Sequence, residues 1–177
     1  KKNYDLLAET NRELLVCHDG NSSDDKEMAE LISCDKFYYQ KGDNLGDKMY
    51  NALEEVISDS KVILLGSDIF NLDKDIIEEA FEKLETHDVV INPSEDGGYF
   101  LIGMKKAIKE VFDLPSYGDS SVLENLIKVL EKNNLTYYLG RAAFDIDIKE
   151  DLLYAETGYK NIRLLGAGEY NINSTVF

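Results

Sequence analysis

One stretch of the sequence, residues 61–103, constrains the fold of this chain more than any other part. It contains two short apolar runs of strand character, Val62–Leu65 and Val89–Ile91. Each run gives way at its carboxyl end to a loop of small and acidic residues, which includes Asp68 in the first case and Asp96 in the second. Open α/β sheets bind ligands beyond the carboxyl ends of their strands, because loops there can vary without disturbing the buried core. The stretch therefore predicts an α/β domain in which Asp68 and Asp96 are the first candidates for chemistry.

The charge balance of the chain restricts the partners that it can have. Its 177 residues, of which 44% are hydrophobic, suit one globular domain with a sizeable core. The chain carries 35 acidic and 19 basic residues, a formal net charge of −16. So acidic a surface repels phosphate backbones, which disfavours a general nucleic-acid binder or a protein of anionic membranes. A polyanionic substrate would need a divalent cation to offset the repulsion from nearby carboxylates.

Cysteine spacing and hydropathy restrict the class of protein further. Cys17 and Cys34 lack the spacing of metal ligands, so a pair of reduced cysteines is predicted. No apolar run approaches the roughly 20 residues of a membrane span, and the first residues do not follow the pattern of a signal peptide. These features predict a soluble, cytoplasmic protein.

Apolar periodicity predicts an alternation of strands and helices along the chain. Strands are predicted at residues 13–17, 37–39, 62–65, 89–91, 99–102 and 135–139, and helices at about residues 24–32, 45–58, 73–84, 105–112, 122–132 and 149–156. Leu114–Ser121, which proline and glycine punctuate, is predicted to be a loop that could cover a site. The chain opens on a helix at residues 4–9, whereas doubly wound domains usually open on a central strand. We therefore expect that an N-terminal segment precedes this sequence.

The segment from Gln40 to Met49 joins a predicted strand to a predicted helix and contains two glycines, Gly42 and Gly46. Glycines let the backbone approach a ligand closely, and the free N–H groups of a helix start can bind an anion or the edge of a base. The residues alone favour the simpler alternative, which is an ordinary capped turn.

Two aspartates near residue 145 have a spacing that suits a metal ion. Asp145 and Asp147 alternate with apolar residues, so on an extended backbone both carboxylates point to the same side. Hard divalent cations prefer such oxygen ligands. On these residues alone, a solvated acidic turn before the predicted helix at 149–156 is the more common outcome.

Four blocks of the sequence occur together and in order: Gln40 to Met49, Leu64 to Asp68, Asn92 to Gly103, and Asp145 to Asp147 followed by Glu150-Asp151-Leu152. With these blocks the chain resembles, over about residues 4–156, the small GT-A-fold glycosyltransferase-like family often called arsenosugar-biosynthesis-type glycosyltransferases. That family is related to the molybdenum-cofactor and coenzyme F420 nucleotidyltransferases. The block around Asp96-Gly97-Gly98-Tyr99 is the most specific. The resemblance implies a Rossmann-like, three-layer α/β sandwich with a mostly parallel central sheet.

The resemblance also implies roles for particular residues. Asp68 would hold a divalent metal, Mg²⁺ or Mn²⁺, on a nucleotide diphosphate, and Asp145 and Asp147 would complete the metal site. Asp96 would act as general base or orient the acceptor. The nucleotide pocket would be lined by Gln40, Gly42, Asp43, Leu45, Gly46 and Ser67, and the sugar or acceptor would face Asp96, Gly97, Gly98 and Tyr99.

Two features depart from the family pattern. Family members begin with a strand and a basic loop around the nucleotide phosphates, and nothing in residues 1–12 matches that opening. Phe70 stands where proline is usual, a change that affects only the stiffness of a turn.

Residues 1–157 are predicted to form the GT-A-like domain, and residues 158–177 a strand, a glycine turn and a second strand. The tail resembles the start of the glycine-rich hairpin of an aminoglycoside- or choline-kinase-like domain. A hairpin that packs on the parent domain is the alternative.

The predicted function is metal-dependent transfer of a glycosyl group from a nucleotide-diphosphate sugar to a small hydroxyl acceptor, with the metal neutralising the leaving diphosphate. The first alternative is a nucleotidyltransferase that releases pyrophosphate. The second is a non-catalytic nucleotide-sugar-binding or regulatory domain beside a kinase-like partner. The sequence does not identify the donor, the acceptor, the stereochemistry or the oligomeric state.

Overall fold

The computed structural model describes residues 5–7, 9–10, 12–58, 60–67, 69–70, 72–142 and 144–145, with the backbone alone at residues 70, 144 and 145. Its elements follow one another as β1 (Leu15–His18), α1 (Asp25–Leu31), β2 (Lys36–Tyr39), α2 (Leu45–Val56), β3 (Val62–Leu65), β4 (Ile69–Phe70), α3 (Lys74–Lys83), β5 (Val89–Pro93), β6 (Tyr99–Met104), a 3-10 helix (Lys109–Phe112), α4 (Val122–Lys132), β7 (Tyr137–Leu139) and β8 (Phe144–Asp145).

The central sheet has four strands in the order β3-β6-β5-β7. Strand β6 runs antiparallel to both of its neighbours, whereas β5 and β7 are parallel. In register, Leu64 of β3 lies opposite Ile102 of β6, and Ile102 lies opposite Ile91 of β5. Because β6 reverses direction between them, β3 and β5 run the same way, and their carboxyl ends meet at one edge of the sheet. The amino end of β6 lies at that edge too.

Both faces of the central sheet are buried, which makes the domain three layers deep. Alternate residues of a strand point to opposite faces. Accordingly Val89 and Ile91 pack in one core cluster, which includes side chains of α2, α4 and the 3-10 helix, whereas Val90 packs in a second cluster with side chains of α3. Continuous apolar runs are typical of strands that are covered on both faces. The predicted α/β sandwich is confirmed.

Two smaller pairs of strands accompany the central sheet. Strands β1 and β2 are parallel, as is typical of a strand-helix-strand unit, with α1 as the crossover. Strands β4 and β8 are antiparallel and two residues long, with Ile69 opposite Asp145. Within the described residues, no strand pairing joins either pair to the central sheet.

A gap of about 470 Å³ separates β1 from β3. Its walls are apolar residues of the two strands, including Val16 and Leu64, and the side chain of Phe81 from α3. Within the described part of the chain, β1 pairs only with β2, and β3 pairs only with β6. The edges that border this gap therefore carry no strand partner among the described residues.

Most predicted elements lie within a few residues of their predicted positions, but the helix at 105–112 is wrong. Only a 3-10 helix at Lys109–Phe112 is present, and Ile108 before it has an extended backbone. Val111 and Phe112 are the buried residues of this short turn and pack with α2 and α4. One short turn is enough to bury both side chains. Tertiary packing, and not the helical periodicity of the sequence, therefore sets the backbone conformation here.

The structure also bears on the state of the two cysteines and on the hydropathy of the helices. Cys17 and Cys34 are free thiols, and burial raises the pKa of Cys17 to about 11, so this thiol stays protonated at neutral pH. Among the described residues, the helices are too short and too polar for one of them to cross a bilayer. The predicted tail hairpin and the boundary at residue 157 lie outside the described residues.

Candidate functional site

The loop between β5 and β6 is a tight turn built around Asp96. The Asp96 Oδ1 atom accepts a hydrogen bond from the Ser94 hydroxyl at 2.5 Å and another from the Gly98 N–H at 2.9 Å. The turn is closed by a backbone hydrogen bond from Ser94 N–H to the Gly98 carbonyl at 3.1 Å. Asp96 is exposed, and no hydrogen bond to its Oδ2 is found from the described residues. One oxygen of this carboxylate therefore shapes the loop, and the carboxylate as a whole lies at the protein surface.

Gly97 joins this turn to the start of α4. Its φ is +95°, a left-handed conformation that favours glycine, and a Cβ there would lie 2.4 Å from the Ser120 carbonyl oxygen. The Gly97 carbonyl accepts a hydrogen bond from Leu123 N–H at 3.0 Å, which satisfies a donor in the first turn of α4. Of the two consecutive glycines in this turn, Gly97 is therefore the position that requires glycine.

A cavity of about 170 Å³ opens at the sheet edge where β3, β5 and β6 meet. Its lining comes from the carboxyl end of β3, the β5–β6 turn, α2 and the loop before α4. The residues are Leu45, Met49, Leu64, Leu65, Gly66, Ser94, Asp96, Gly98, Tyr99, Phe100, Ile102, Tyr117, Gly118, Asp119 and Val122. Here it is named the acidic pocket, after Asp96 and Asp119. Of the predicted site residues it brings together Leu45, Asp96, Gly98 and Tyr99.

Two tyrosines form the inner wall of the acidic pocket. The Tyr99 hydroxyl contacts the Met49 sulfur at 3.6 Å, and the Tyr117 hydroxyl donates to the Phe112 carbonyl at 2.9 Å. Burial raises the pKa of Tyr117 to about 12 and that of Tyr99 well above its ordinary value. Both phenols are therefore neutral at physiological pH, and neither is suited to act as a base.

Sequence reasoning did not name Tyr117 or Asp119 as site residues. Both lie in the Leu114–Ser121 loop, which was predicted only as a possible cover. The Asp119 carboxylate accepts hydrogen bonds from Ser116 Oγ at 2.6 Å and from Ser121 N–H at 2.8 Å. These bonds lower the pKa of Asp119, so its negative charge persists. The signal that pointed to these residues was the punctuation of the loop by glycine and proline.

The Gln40–Met49 segment forms a capped helix start, and its role in binding a nucleotide stays a prediction. The Asn44 side chain accepts a hydrogen bond from Asp47 N–H at 2.9 Å, and Gly42 has a φ of +135°. A second cavity of about 310 Å³ lies beside this helix start, between α2 and the loop at 112–117. Of the predicted nucleotide residues, Leu45 and Gly46 line this second cavity.

The remaining predicted nucleotide residues lie apart from both cavities. Gly42 and Asp43 are exposed, and Ser67 borders the gap between β1 and β3. Gln40 has a buried side-chain nitrogen, Nε2, that finds no hydrogen-bond partner among the described residues. An unpaired buried donor is costly, and a bound ligand would relieve that cost.

The predicted metal ligands lie largely beyond the part of the chain that the structure describes. Asp68 and Asp147 are outside the described residues, and Asp145 is described by its backbone alone. The antiparallel pairing of β4 with β8 places Asp145 opposite Ile69, the residue that follows Asp68 in sequence. The strand that directly follows the first of these blocks is thus paired with the strand that ends at Asp145. Among the described residues, no group of histidine, cysteine and carboxylate side chains is arranged to hold a metal ion.

A buried histidine cluster at the carboxyl ends of β1 and β2 was not anticipated. His18 Nδ1 accepts a hydrogen bond from Gly20 N–H at 3.2 Å, so its Nε2 carries the proton and donates to Asp25 Oδ1 at 3.1 Å. The Tyr39 hydroxyl donates to the other Asp25 oxygen at 2.8 Å. These bonds tie α1 to both strands of its unit, which is a structural role.

Comparison with known proteins places this architecture in a family. A family model described as "Uncharacterized protein conserved in bacteria (DUF2064)" matches residues 4–119, which is most of the described chain. The chain belongs to the DUF2064 family. The matched range includes the Gln40–Met49 segment, the carboxyl ends of β3 and β5, and the acidic pocket up to Asp119.

Two curated proteins resemble this chain in sequence. The 2-phospho-L-lactate guanylyltransferase of Methanocaldococcus sp. (strain FS406-22) is 31% identical over 136 residues, which cover 73% of this chain and 58% of that protein. The 2-phospho-L-lactate guanylyltransferase of Methanocaldococcus jannaschii is 32% identical over 116 residues, 64% of this chain and 50% of that protein. The chain therefore spans about half the length of the curated relatives it matches.

A solved structure shares the fold. The crystal structure of a protein described as a nucleotide-diphospho-sugar transferase, from Desulfovibrio desulfuricans G20, superimposes with a TM-score of 0.80 and 28% sequence identity. The match covers 90% of this chain and 71% of that one. The likeness confirms the predicted fold class; the finer resemblance to arsenosugar-type enzymes and to a kinase-like tail stays a prediction.

Proposed function

We propose that this domain is a nucleotidyltransferase that transfers a nucleotidyl group from GTP to a small hydroxyl acceptor. The observation that carries the proposal is the pocket at the shared carboxyl edge of β3 and β5, in a chain whose sequence relatives are guanylyltransferases. Ligands of open α/β sheets bind at this edge. Guanosine is chosen because the names of both curated relatives specify guanylyl transfer.

In this reaction the acceptor hydroxyl oxygen forms a bond to the α-phosphorus of GTP. The bond from that phosphorus to the oxygen that bridges to the β-phosphate breaks, and pyrophosphate leaves with the bonding electrons. The hydroxyl proton passes to Asp96 or to water. Asp96 suits this role because its exposed carboxylate lines the acidic pocket.

The nucleotide is proposed to lie at the α2 start, beside the 310 Å³ cavity, with the acceptor in the acidic pocket. Gln40, Gly42, Asp43, Leu45, Gly46 and Ser67 would contact the nucleotide, and Gly97, Gly98 and Tyr99 would shape the acceptor end. The buried Gln40 Nε2 without a partner among the described residues supports a ligand on this side. The 170 Å³ of the acidic pocket is below the roughly 300–1,000 Å³ typical of sites for larger ligands. A nucleoside therefore fits this pocket poorly, whereas a small acceptor fits it well.

A divalent cation, Mg²⁺ or Mn²⁺, is proposed as cofactor. Asp68, Asp145 and Asp147 would hold it, and carboxylate oxygens are the ligands that such hard cations prefer. When bound, the cation would neutralise charge on the nucleotide phosphates, which a chain of net charge −16 would otherwise repel. The pairing of Ile69 with Asp145 supports this ligand set.

Glycosyl transfer from a nucleotide-diphosphate sugar is the second candidate, and the solved structure of a nucleotide-diphospho-sugar transferase favours it. The two reactions differ in the bond that breaks, so the products separate them. Phosphorus NMR of a reaction with GTP, Mg²⁺ and a panel of small alcohols is expected to show pyrophosphate. Release of nucleoside diphosphate from a nucleotide sugar, with no pyrophosphate from GTP, would instead establish glycosyl transfer. Turnover of neither donor would leave the non-catalytic alternative.

Metal dependence gives a separate prediction. GTP is expected to bind at least about tenfold more tightly with Mg²⁺ than with EDTA, because the cation offsets about 1.4 kcal/mol or more of repulsion. Asp68→Asn should abolish the difference, and Glu82→Gln, which removes an exposed carboxylate from the last turn of α3, should retain it. Isothermal titration calorimetry measures both. Metal-independent binding by the unaltered protein would contradict the assignment of Asp68.

A further inference from the structure

The polar lining of the acidic pocket carries charge of one sign only. Two carboxylates, from Asp96 and Asp119, reach it together with the side chains of Ser94, Tyr99 and Tyr117. Among the described residues that line it there is no lysine or arginine. An anionic group bound here would meet two negative charges and, from the described lining, no positive one.

The surroundings of the pocket strengthen this negative field. Asp113 and Asp47 lie near enough to Tyr117 to oppose ionisation of its hydroxyl, and they add to the effect of burial on its pKa. Lys109 lines the neighbouring cavity at the α2 start and lies 6.0 Å from the Tyr50 ring. Asp47 and Asp113 line that same cavity, so Lys109 is the one cation among its described lining residues.

We propose that the acidic pocket selects a hydroxyl compound that is uncharged or positively charged, and that it excludes phosphorylated and carboxylated acceptors. The proposal rests on the proposed function, since it assigns the acceptor class of that same site. It also separates this chain from the two curated relatives, whose names specify 2-phospho-L-lactate, a compound with a phosphate and a carboxylate.

Both the carboxylates and the tyrosines suit such an acceptor. A carboxylate accepts hydrogen bonds and does not donate them when ionised, so it pairs with hydroxyl and ammonium groups and repels other anions. Aromatic faces attract cations. A unit charge placed about 4 Å from one carboxylate changes affinity by roughly fivefold even at the dielectric constant of water. Two carboxylates therefore suffice for a large preference.

The test compares four probes that share a three-carbon skeleton and differ in charge: serinol is a cation, glycerol is neutral, glycerate is a monoanion and glycerol 3-phosphate is close to a dianion. Ligand-observed NMR measures the dissociation constant of each with the full chain. The buffer contains EDTA, so that no divalent cation neutralises the pocket. Serinol is expected to bind at least about tenfold more tightly than glycerol 3-phosphate, with glycerol and glycerate between them.

Two variants test whether the preference for serinol over glycerol 3-phosphate arises in the acidic pocket. Asp119→Asn and Asp96→Asn should each reduce the ratio between serinol and glycerol 3-phosphate by roughly fivefold, because each removes one charge from the lining. Glu82→Gln removes one negative charge from the last turn of α3, whose buried side chains pack on the opposite face of the sheet, and should leave the ratio unchanged. Circular dichroism checks that each variant is folded, and the two pocket variants provide independent tests should one of them unfold.

Three results would overturn the proposal: glycerol 3-phosphate binding as tightly as serinol, a preference for serinol that neither pocket variant reduces, or no binding by any of the four probes. The transfer assay with GTP distinguishes this failure from failure of the proposed function. Faster transfer to glycerol 3-phosphate than to glycerol would contradict the proposed acceptor class but support nucleotidyl transfer. A preserved preference for serinol without transfer to any alcohol would support the acceptor class and contradict nucleotidyl transfer.

Discussion

Gly97→Val is expected to lower the free energy of unfolding by at least about 3 kcal/mol, a large part of the roughly 5–15 kcal/mol that stabilises a typical domain. A left-handed backbone costs an L-residue about 1–2 kcal/mol, and a β-branched residue more. In addition, the new Cβ would lie 2.4 Å from the Ser120 carbonyl oxygen and 2.7 Å from the Ser120 Cα, both backbone atoms that cannot rotate away. Overpacking of this kind costs about 1–3 kcal/mol. Urea denaturation followed by circular dichroism measures the loss.

Gly118→Val is the matched control for this variant. Gly118 has a similar φ of +86°, but a Cβ there meets nothing within 4 Å. It should therefore show the backbone strain without the steric overlap, a loss of about 1–2 kcal/mol. Equal losses in the two variants would mean that contact between the β5–β6 turn and the start of α4 contributes nothing to the cost.

Asp96→Asn is expected to reduce transfer activity at least about tenfold, a loss of about 1.4 kcal/mol in transition-state stabilisation, with a melting temperature close to that of the unaltered protein. The oxygen that accepts from Ser94 and Gly98 can be kept by the asparagine carbonyl, so the turn should survive. The charge that would attract the acceptor proton is lost. Steady-state kinetics of pyrophosphate release, together with thermal denaturation, measures both effects.

This variant separates two roles of Asp96, because its carboxylate also accepts the hydrogen bonds that hold the β5–β6 turn. If shaping the loop were its whole contribution, Asp96→Asn would retain full activity, and Asp96 would then leave the proposed mechanism. Glu82→Gln in the last turn of α3 controls for the loss of one negative charge from the protein as a whole. It should match the unaltered protein in both rate and melting temperature.

The strands of the central sheet could be predicted because their signal is local. Val89, Val90 and Ile91 are apolar in succession, which is typical of a strand buried on both faces, and the structure buries all three completely. The acidic loops that follow β3 and β5 could be placed at one edge by the same reasoning. That prediction needed only the relative direction of two strands, which an antiparallel β6 between them preserves.

Other features could not be predicted because they depend on contacts between distant segments. Strands β4 and β8 are two residues long and exist only as partners of each other. Tyr117 enters the acidic pocket because Gly46 leaves room for it: a Cβ at Gly46 would lie 2.2 Å from the Phe112 carbonyl and 3.0 Å from the Tyr117 ring. Neither segment reveals that contact in its own sequence.

Asn92 shows the same dependence in a single buried side chain. It lies at the end of β5, and its amide donates to the Arg141 carbonyl at 3.0 Å, while Gly140 allows the close approach. This bond positions the chain between β7 and β8. A polar residue in an apolar strand was visible in the sequence, but its partner 49 residues away was not.

The gap between β1 and β3 separates two units of the domain, the β1-α1-β2 unit and the central sheet with its helices. No strand pairing within the described residues joins the β1-α1-β2 unit to the central sheet, so we expect the smaller unit to exchange its amide hydrogens faster than the larger one. Gln40, at the end of β2, belongs to the smaller unit, whereas Asp96 belongs to the larger. The distance between the proposed nucleotide contact and the proposed acceptor contact therefore depends on how the two units are held together. Whatever polypeptide or ligand spans this gap would control the alignment of the two substrates.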